Sequence, residues 1–272
     1  MKVFNIRLIL LLLAVMMVFV TACGQTNMNR TDKQTTTGNE RQFISIASGA
    51  SGGAYYVLGA GIVKLLNQYV PDIPANSEAT GGTEENLALL KNNKVNFGIA
   101  SADSVFNAYK GQAQYEGKKQ DNLMAILKGH SNVLHILTMK DSGINSLEDL
   151  KGKRISLNAG LPLLAEDILM TAGGLKKDVD YKAQILPHDA AATALKDGNI
   201  DAAIMLFGIP GSAATDVFSS HNAKLISLTD VEREKLIEKY PYMELFNIPV
   251  NTYPKQSEEI KTVGVPALLV TN

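Results

Sequence analysis

The chain has 272 residues, 46% of them hydrophobic and 19% charged, with a formal net charge of −1 at pH 7. This composition fits a globular protein of one large domain or two modest lobes and excludes an intrinsically disordered chain. The near-neutral charge, without a cluster of Lys and Arg interleaved with aromatic residues, argues against nucleic-acid binding.

The N-terminal residues 1–22 resemble a bacterial lipoprotein signal peptide. Lys2 and Arg7 precede an apolar run over residues 8–20, which is short for a membrane-spanning helix of roughly 20 residues. Cys23 is the only cysteine, so it cannot form an internal disulfide and is the expected lipid attachment point. Residues 23–42 are polar and predict a flexible tether. We therefore expect a lipid-anchored protein on the extracytoplasmic face of the cell membrane; the alternative is an uncleaved membrane anchor.

A loop of Gly, Ser and Ala at residues 48–56 is the first candidate binding element. It follows a predicted strand over residues 43–47 and opens a predicted helix over residues 57–66, in which apolar residues recur at helical spacing. The first N–H groups of a helix have no intrahelical partner and favour an anion. The alternative is a tight turn whose glycines only supply a positive φ.

The same strand–loop–helix order occurs twice more in the next 60 residues or so. A weak strand at 73–78 leads through loop 79–86 into a helix at 87–90, and a strand at 95–100 leads through residues 101–103 into a helix at 105–109. Repeated units of this kind predict a mainly parallel sheet covered by helices. Ligands of such sheets bind outside the carboxyl ends of the strands.

The second half of the chain repeats this alternation after a break. Two apolar runs, 123–128 and 133–138, follow one another without a helix and predict the crossing between two lobes. Strands are then expected at 154–158, 183–186, 200–206 and 224–228, with helices at 163–171 and 189–195. A strand at 262–270 returns to the first lobe. Lobe 1 is therefore predicted to comprise residues 43–130 and 262–272, and lobe 2 residues 131–261.

Several motifs in collinear order resemble the TAXI-type solute-binding proteins of TRAP transporters. They are Ser-Gly-x-Ser-Gly-Gly-x-Tyr-Tyr at 48–56, Ala-Thr-Gly-Gly-Thr-x-x-Asn at 79–86, Ser-x-Asp at 101–103, and the segments 144–154, 189–201, 207–210 and 252–254. The resemblance covers nearly all of residues 43–271. It implies an α/β, two-lobed periplasmic-binding-protein-like fold (type II), with a mostly parallel sheet in each lobe and a hinge between them.

The resemblance also implies a function. The protein would close over glutamate, another amino acid or a small dicarboxylate and deliver it to a TRAP membrane permease subunit driven by an ion gradient. Two departures from the family stand out: loop 158–163 lacks the usual Gly-Ser-Gly, and the sequence stops at Asn272, where relatives carry further helical sequence. We therefore expect an uncovered apolar face on the strand at 263–270.

The predicted ligand site combines residues from five loops that follow strands or precede helices. A solute carboxylate is expected against the N–H groups of Gly53 and Ala54, with the hydroxyls of Ser51 and Thr83 donating. Tyr55 is assigned to the core, and Tyr56, rotated by about 100°, to the cleft. Asp103 caps a helix or pairs with a solute amine. The full set of predicted ligand-binding residues is Ser51, Gly53, Ala54, Tyr56, Thr80, Thr83, Ser101, Asp103, Asn158, Ala159, Phe207 and Gly208.

An arginine clamp for the carboxylate is not expected. Arg154 begins a strand, at the end opposite the cleft, and Arg233 belongs to a solvated helix. The four histidines lack metal-ligand spacing, and neither catalysis nor a metal or cofactor is predicted. The remaining alternatives are a binding protein of an ABC importer or sensor kinase, which has the same fold, and a secreted hydrolase.

Overall fold

The computed structural model describes residues 43–51, 53–159 and 161–272. The predicted signal peptide, the tether and Cys23 lie outside these residues. The strands are β1 (Ile44–Ala47), β2 (Ala75–Glu78), β3 (Phe97–Ser101), β4 (Met124–Met139), β5 (Arg154–Asn158), β6 (Lys182–Leu186), β7 (Ala202–Phe207), β8 (Ala223–Leu225), β9 (Glu244–Ile248) and β10 (Ile260–Thr271). The helices are α1 (Ala54–Tyr69), α2 (Thr83–Lys91), α3 (Ala102–Lys110), α4 (Pro162–Gly173), α5 (His188–Lys196), α6 (Ser212–Ser220) and α7 (Asp230–Lys239).

Local sequence explains where several helices begin and end. Pro162 occupies the first turn of α4, where its missing N–H costs nothing, and Gly174 ends this helix with φ of 67°. At α7, the Thr229 side chain accepts from the Glu232 N–H while the Glu232 carboxylate accepts from the Thr229 N–H, which is a capping box.

The ten strands form one mixed sheet in the order β2-β1-β3-β10-β4-β7-β5-β6, with β8 paired to β4 and β9 to β10. Pairing is parallel among β1–β3 and among β5–β7, as predicted, and antiparallel wherever β4 or β10 takes part. We call the β1–β3 side with α1–α3 lobe 1, and the β5–β8 side with α4–α7 lobe 2.

Helices cover both faces of the sheet in each lobe. Alternate residues of β7 show this: Ile204 packs in the cluster of α4 and α7, whereas Met205 packs in the cluster of α5 and α6. In lobe 1, Ala100 of β3 packs under α2 and α3, whereas Ile99 packs under α1. Strands buried on both faces read as continuous apolar runs, which is why β7 is recognisable in the sequence.

The register of the central strands makes the carboxyl ends of the two lobes face each other. At the end of β3, Ser101 pairs with Ala267 of β10, and at the end of β7, Phe207 pairs with Val133 of β4. Between these two levels, β4 continues through residues 129–132, next to β10. Every loop that follows a lobe 1 or lobe 2 strand at this edge therefore opens onto the same gap.

Three expectations need correction. The runs at 123–128 and 133–138 are one continuous strand, β4, so the predicted lobe boundaries fall inside β4 and β10 and stay a prediction. Strand β10 is buried on both faces; uncovered apolar side chains of the sheet are found on other strands, for example Ile126 of β4 and Ile185 of β6. Arg233 lies on a helix as predicted but is buried, since it bonds to Asp230 and Asn247.

Candidate ligand-binding cleft

The gap between the facing strand ends contains a cavity of about 790 Å³. Residues 128–131 of β4 line it at the crossing between the lobes. Lobe 1 contributes the first turn of α1, and lobe 2 contributes the loop after β7 and part of β9. The lining residues are Ala54, Val57, Lys128, Gly129, His130, Ser131, Gly208, Ile209, Pro210, Ser212, Glu244 and Phe246. Of the predicted site residues, Ala54 and Gly208 are thus brought together here.

Two helices begin at this cavity. Ala54 starts α1 and Ser212 starts α6, and the capping residues Gly53 and Gly211 provide no side-chain cap. The N–H of Gly53 donates to the carbonyl of Ala50 at 2.9 Å, and its expected role as a carboxylate donor stays a prediction. By helix geometry the unpaired donors are those of the residues that follow it. Ser51 is exposed on the same loop.

Tyr55, assigned to the core from the sequence, reaches a polar cluster at the carboxyl edge of lobe 1. The pKa of its hydroxyl is raised, mainly by burial and also by the charge of Asp103. The side chains of Thr83, Ser101 and Asn132 partly oppose this increase. Its ring lies 5.7 Å from that of His130 in the cleft. Tyr55 and Tyr56 are both half-buried. Tyr55 packs against the core cluster of Ile46 and Ile99, as predicted, and its ring also reaches the cleft. The solute contact expected of Tyr56 stays a prediction.

Asp103 is the unusual group of this cluster. It is only 8% exposed, and its Oδ1 has no hydrogen-bond partner among the described residues. The neighbouring Ser101 Oγ is also buried; it lies close enough to the Tyr55 hydroxyl to lower its pKa but has no well-formed hydrogen bond among the described residues. Ser101, not Asp103, is the capping residue of α3, and no side-chain cap bond is present, so capping does not explain the carboxylate. Buried polar groups are nearly always satisfied, so the free oxygen makes Asp103 a candidate acceptor for a solute donor.

The charge of Asp103 also affects two further tyrosines. The pKa of Tyr115 is raised mainly by burial, then by its hydrogen bond to Glu84 and the charge of Glu84, and least by the charge of Asp103. Burial, Asp103 and Asp167 raise the pKa of Tyr242, which belongs to lobe 2. Its ring meets Phe106 of α3 at 5.6 Å. The polar cluster of lobe 1 therefore faces lobe 2 directly.

The second predicted loop of lobe 1 is mainly structural. Asn86 is fully buried and donates to the carbonyls of Ser48 and Ile99 at 2.7 and 2.6 Å, while it accepts from Thr80 Oγ1 at 2.6 Å. Thr83 Oγ1 accepts from the Ser101 N–H at 3.1 Å and keeps its own proton to donate. These bonds tie the ends of β1 and β3 together, so Thr80 supports the site and Thr83 remains available to a solute.

In lobe 2 the predicted residues divide in the same way. Asn158 is buried at the end of β5, and the N–H of Ala159 donates to the Leu186 carbonyl at 3.2 Å. Phe207 packs inward, with its ring 4.3 Å from that of His135 and 5.0 Å from that of His188. Gly208 alone of these four lines the cavity.

Four cleft residues on β4 and β9 were not predicted. His130 and Ser131 lie in the crossing segment, and Glu244 accepts hydrogen bonds from both Lys128 and Ser131. Burial lowers the pKa of His130, which keeps its ring neutral near pH 7. Only the antiparallel pairing of β10 with β4 and β9 brings these side chains to the cleft.

In the described ranges, no group of three or more His, Cys, Asp or Glu side chains could hold a metal ion. Arg154 lies at the start of β5, away from the cleft, and pairs with Asp201 at 2.7 Å. None of the helices that the structure describes has the length and apolarity needed to cross a membrane.

Two sets of strands facing each other across two shared central strands define the class: this is a type II periplasmic-binding-protein-like fold. Solved structures agree. The chain is similar to a putative sulfonate ABC transporter protein, the periplasmic sulfonate-binding protein SsuA of Methylobacillus flagellatus KT (TM-score 0.50, 17% identity, 84% of this chain and 61% of that one). It is also similar to the probable amino-acid ABC transporter extracellular-binding protein YtmK of Bacillus subtilis (0.50, 16%, 85% and 84%) and to a glycine betaine/carnitine/choline ABC transporter structure (0.51, 12%, 84% and 79%).

The family follows from the sequence itself. The NMT1-like family model matches residues 46–272, and the chain belongs to this family. The chain spans 56% and 61% of the length of the sulfonate-binding proteins of Escherichia coli and M. flagellatus. At 12–17% identity, the structural likenesses establish the fold and leave the solute to be inferred from the cleft.

Proposed function

We propose that this chain is the extracytoplasmic solute-binding component of a membrane importer. It captures a small solute between its lobes and releases it without chemical change. The observation that carries the proposal is the buried Asp103 carboxylate, whose Oδ1 has no partner among the described residues, at the point where the strand ends of both lobes face each other.

The charges of the cleft favour an amino acid over a dicarboxylate. Asp103 accepts from the solute ammonium, together with the buried Ser101 hydroxyl. The solute carboxylate lies at the first turn of α1, where unpaired N–H groups and the helix dipole favour an anion, with Thr83 and Tyr55 donating. A dicarboxylate would instead bring a second negative charge towards Asp103, which costs binding energy in a buried site.

The membrane partner is better assigned to an ABC importer than to the TRAP permease that the motifs imply. The structures at TM-scores of 0.50 and 0.51 are named as parts of ABC transporters. The TRAP permease remains the second candidate, on the motif resemblance at 48–56, 79–86 and 101–103. Anchoring by a lipid on Cys23 belongs to the proposal in either case.

A solute screen by thermal unfolding tests the proposal. L-Glutamate, other L-amino acids, succinate and ethanesulfonate are added to the soluble body of the protein. Micromolar affinity corresponds to about 8 kcal/mol, and a solute at 100 times its Kd stabilises the folded state by about 2.7 kcal/mol. We expect amino acids to raise the Tm and succinate not to. A rise with succinate or ethanesulfonate alone rejects the assignment to Asp103.

Transport assays separate the two partners. With the membrane subunits encoded nearby, uptake that needs ATP identifies an ABC importer, and uptake that collapses with the ion gradient identifies a TRAP permease. Cys23→Ala should release the protein from the membrane fraction, and retention of this variant in the membrane contradicts the lipid anchor.

A further inference from the structure

The loop that follows β7 is held from behind by a buried tyrosine. Tyr253, in the segment between β9 and β10, is 1% exposed, and its hydroxyl accepts the Gly211 N–H at 3.0 Å. The same hydroxyl lies 2.7 Å from Nε2 of His135 on β4. Gly211 is the capping residue of α6, directly after the cavity-lining residues 208–210. Tyr253 thus joins a cleft wall of lobe 2 to the strand that crosses between the lobes.

The direction of each hydrogen bond in this group follows from its chemistry. The carbonyl of Val133 only accepts, so the His135 Nδ1 at 2.8 Å from it carries the proton. The Nε2 atom is then a bare acceptor, and the Tyr253 hydroxyl must donate to it. That leaves the hydroxyl oxygen to accept from the Gly211 N–H. Every donor and acceptor in this chain of bonds is used once, with a neutral imidazole.

Tyr253 is itself fixed in place. Its ring stacks on Phe218 of α6 with centroids 5.2 Å apart and an interplanar angle of 9°. Its N–H donates to Gln256 Oε1 at 3.1 Å, and Gln256 Nε2 donates to the carbonyls of Pro249 and Glu258 at 3.0 and 2.7 Å. The segment carrying Tyr253 is therefore braced independently of the loop that it holds.

Close packing leaves the Gly211 turn little freedom to move. A Cβ on Gly211 would lie 2.0 Å from Cε2 of Phe207, so only glycine fits under this ring. Phe207 packs in turn on the imidazole of His135, at 4.3 Å between centroids. Phe207 therefore helps to hold the turn and is not a surface offered to the solute.

We propose that Tyr253 and His135 are positioning residues for the solute site: they fix the cleft wall at residues 208–212 without touching the solute. This inference rests on the proposed solute-binding function. Losing the Tyr253 hydroxyl removes the partner of the Gly211 N–H at the start of α6, and the wall becomes mobile. Solute affinity then falls because the wall must be ordered on binding.

Tyr253→Phe is the test variant, and Tyr240→Phe is its matched control. Tyr240 is also buried in lobe 2, and its hydroxyl donates to Asp167, away from the cleft wall. Both variants lose one buried hydroxyl, so both should lower the Tm to a similar extent. Amide exchange of Gly211, measured by NMR without solute, should accelerate about two- to tenfold in Tyr253→Phe, the scale of one net hydrogen bond. It should stay unchanged in Tyr240→Phe.

Binding of L-glutamate, measured by calorimetry, provides the second readout. We expect about tenfold weaker binding in Tyr253→Phe and wild-type binding in Tyr240→Phe. His135→Leu should reproduce the faster Gly211 exchange, and the double variant should add little, because the two residues act through one chain of bonds.

The outcomes separate this inference from the proposed function. Unchanged Gly211 exchange in Tyr253→Phe overturns the positioning role whatever binds. Faster exchange with undiminished L-glutamate affinity overturns it as well, since the wall would then not matter for binding. Failure of L-glutamate to bind the wild type counts against the proposed amino-acid solute, while the exchange experiment still decides whether Tyr253 holds the wall.

Discussion

Replacing Asp103 with asparagine should weaken solute binding and at the same time stabilise the empty protein. Asp103 is only 8% exposed, and its Oδ1 has no hydrogen-bond partner among the described residues. A buried group left unsatisfied costs about 1–3 kcal/mol. Its position in the first turn of α3 returns about 0.3–1 kcal/mol through the helix dipole. Asparagine has the same shape and keeps a polar group at this place, but a neutral amide costs less to bury than a carboxylate, so the variant should gain about 1 kcal/mol.

The effect on the solute has the opposite sign. A hydrogen bond to a charged group contributes about 1.5–3 kcal/mol, so losing the Asp103 carboxylate should weaken the binding of an amino acid by about 10- to 100-fold. At a concentration of 100 times the wild-type Kd, stabilisation by solute then falls from about 2.7 kcal/mol to between about 0.4 and 1.4 kcal/mol.

Thermal unfolding with and without L-glutamate measures both effects in one experiment. For a domain of this size, 1 kcal/mol corresponds to about 2–4 °C in Tm. The empty variant should therefore melt a few degrees above the wild type, and its rise with L-glutamate should be at most half as large. Asp189→Asn is the matched control, because Asp189 lies in the first turn of α5 but is exposed. An empty Asp103→Asn protein that melts lower, with an undiminished rise, would refute this account of the carboxylate.

Three further predictions concern other parts of the fold. Burial, foremost, lowers the pKa of His135 to about 4, so the unfolded chain binds more protons than the folded one between about pH 6.5 and 4. The free energy of unfolding should therefore fall as the pH falls through that window, by on the order of 3 kcal/mol. Urea titrations of the wild type and of His135→Leu at several pH values check this, and the same dependence of stability on pH in both proteins would contradict it. Arg154→Ala should leave solute affinity unchanged and lower the Tm slightly, since Arg154 pairs with Asp201 at the start of β5, away from the cleft. A loss of binding in calorimetry would mean that the solute carboxylate binds near Arg154. Ile126→Lys should reduce concentration-dependent light scattering without affecting solute binding. Ile126 is 56% exposed on a stretch of β4 that has a strand partner on only one side among the described residues, and such an edge promotes association. Unchanged scattering would mean that this edge does not cause association.

The fold was largely predictable because its inner strands, such as β5 and β7, are buried on both faces. Strand β5 has the predicted bounds of residues 154–158, and β1 and β7 differ from prediction by one or two residues at an end. Helix α6 and strand β9 were not predicted. The first turn of α6 consists of small residues without an apolar stripe, and β9 is a five-residue strand whose polar Glu244 and Asn247 interrupt the apolar pattern. Such elements form because they pack against the rest of the protein, and their own residues give no helix or strand pattern that predicts them.

The site was less predictable than the fold. Spacing identifies the loops at the carboxyl edge, but it cannot say which of two adjacent tyrosines on α1 turns toward Asp103 or which loop N–H groups are already bonded. Asp103 stands out because its buried Oδ1 has no hydrogen-bond partner among the described residues. Only the three-dimensional structure, and not the sequence, can show this. His130 enters the cleft through the register of β4 with β10, a pairing between segments more than 100 residues apart in the chain.

Strand β4 contributes side chains to both lobes, but its alternation is regular only in lobe 2. Leu134 and Ile136 face one layer of lobe 2, and Val133 and Leu137 face the other. Towards lobe 1 the pairing of β4 with β10 shifts register between Ser131 and Lys128, so the alternation does not run unbroken from one lobe to the other. Inserting or deleting one residue at 133–138 would exchange the side chains on the two faces of lobe 2. We therefore expect natural length variation to avoid residues 133–138 and to accumulate in the outer loops.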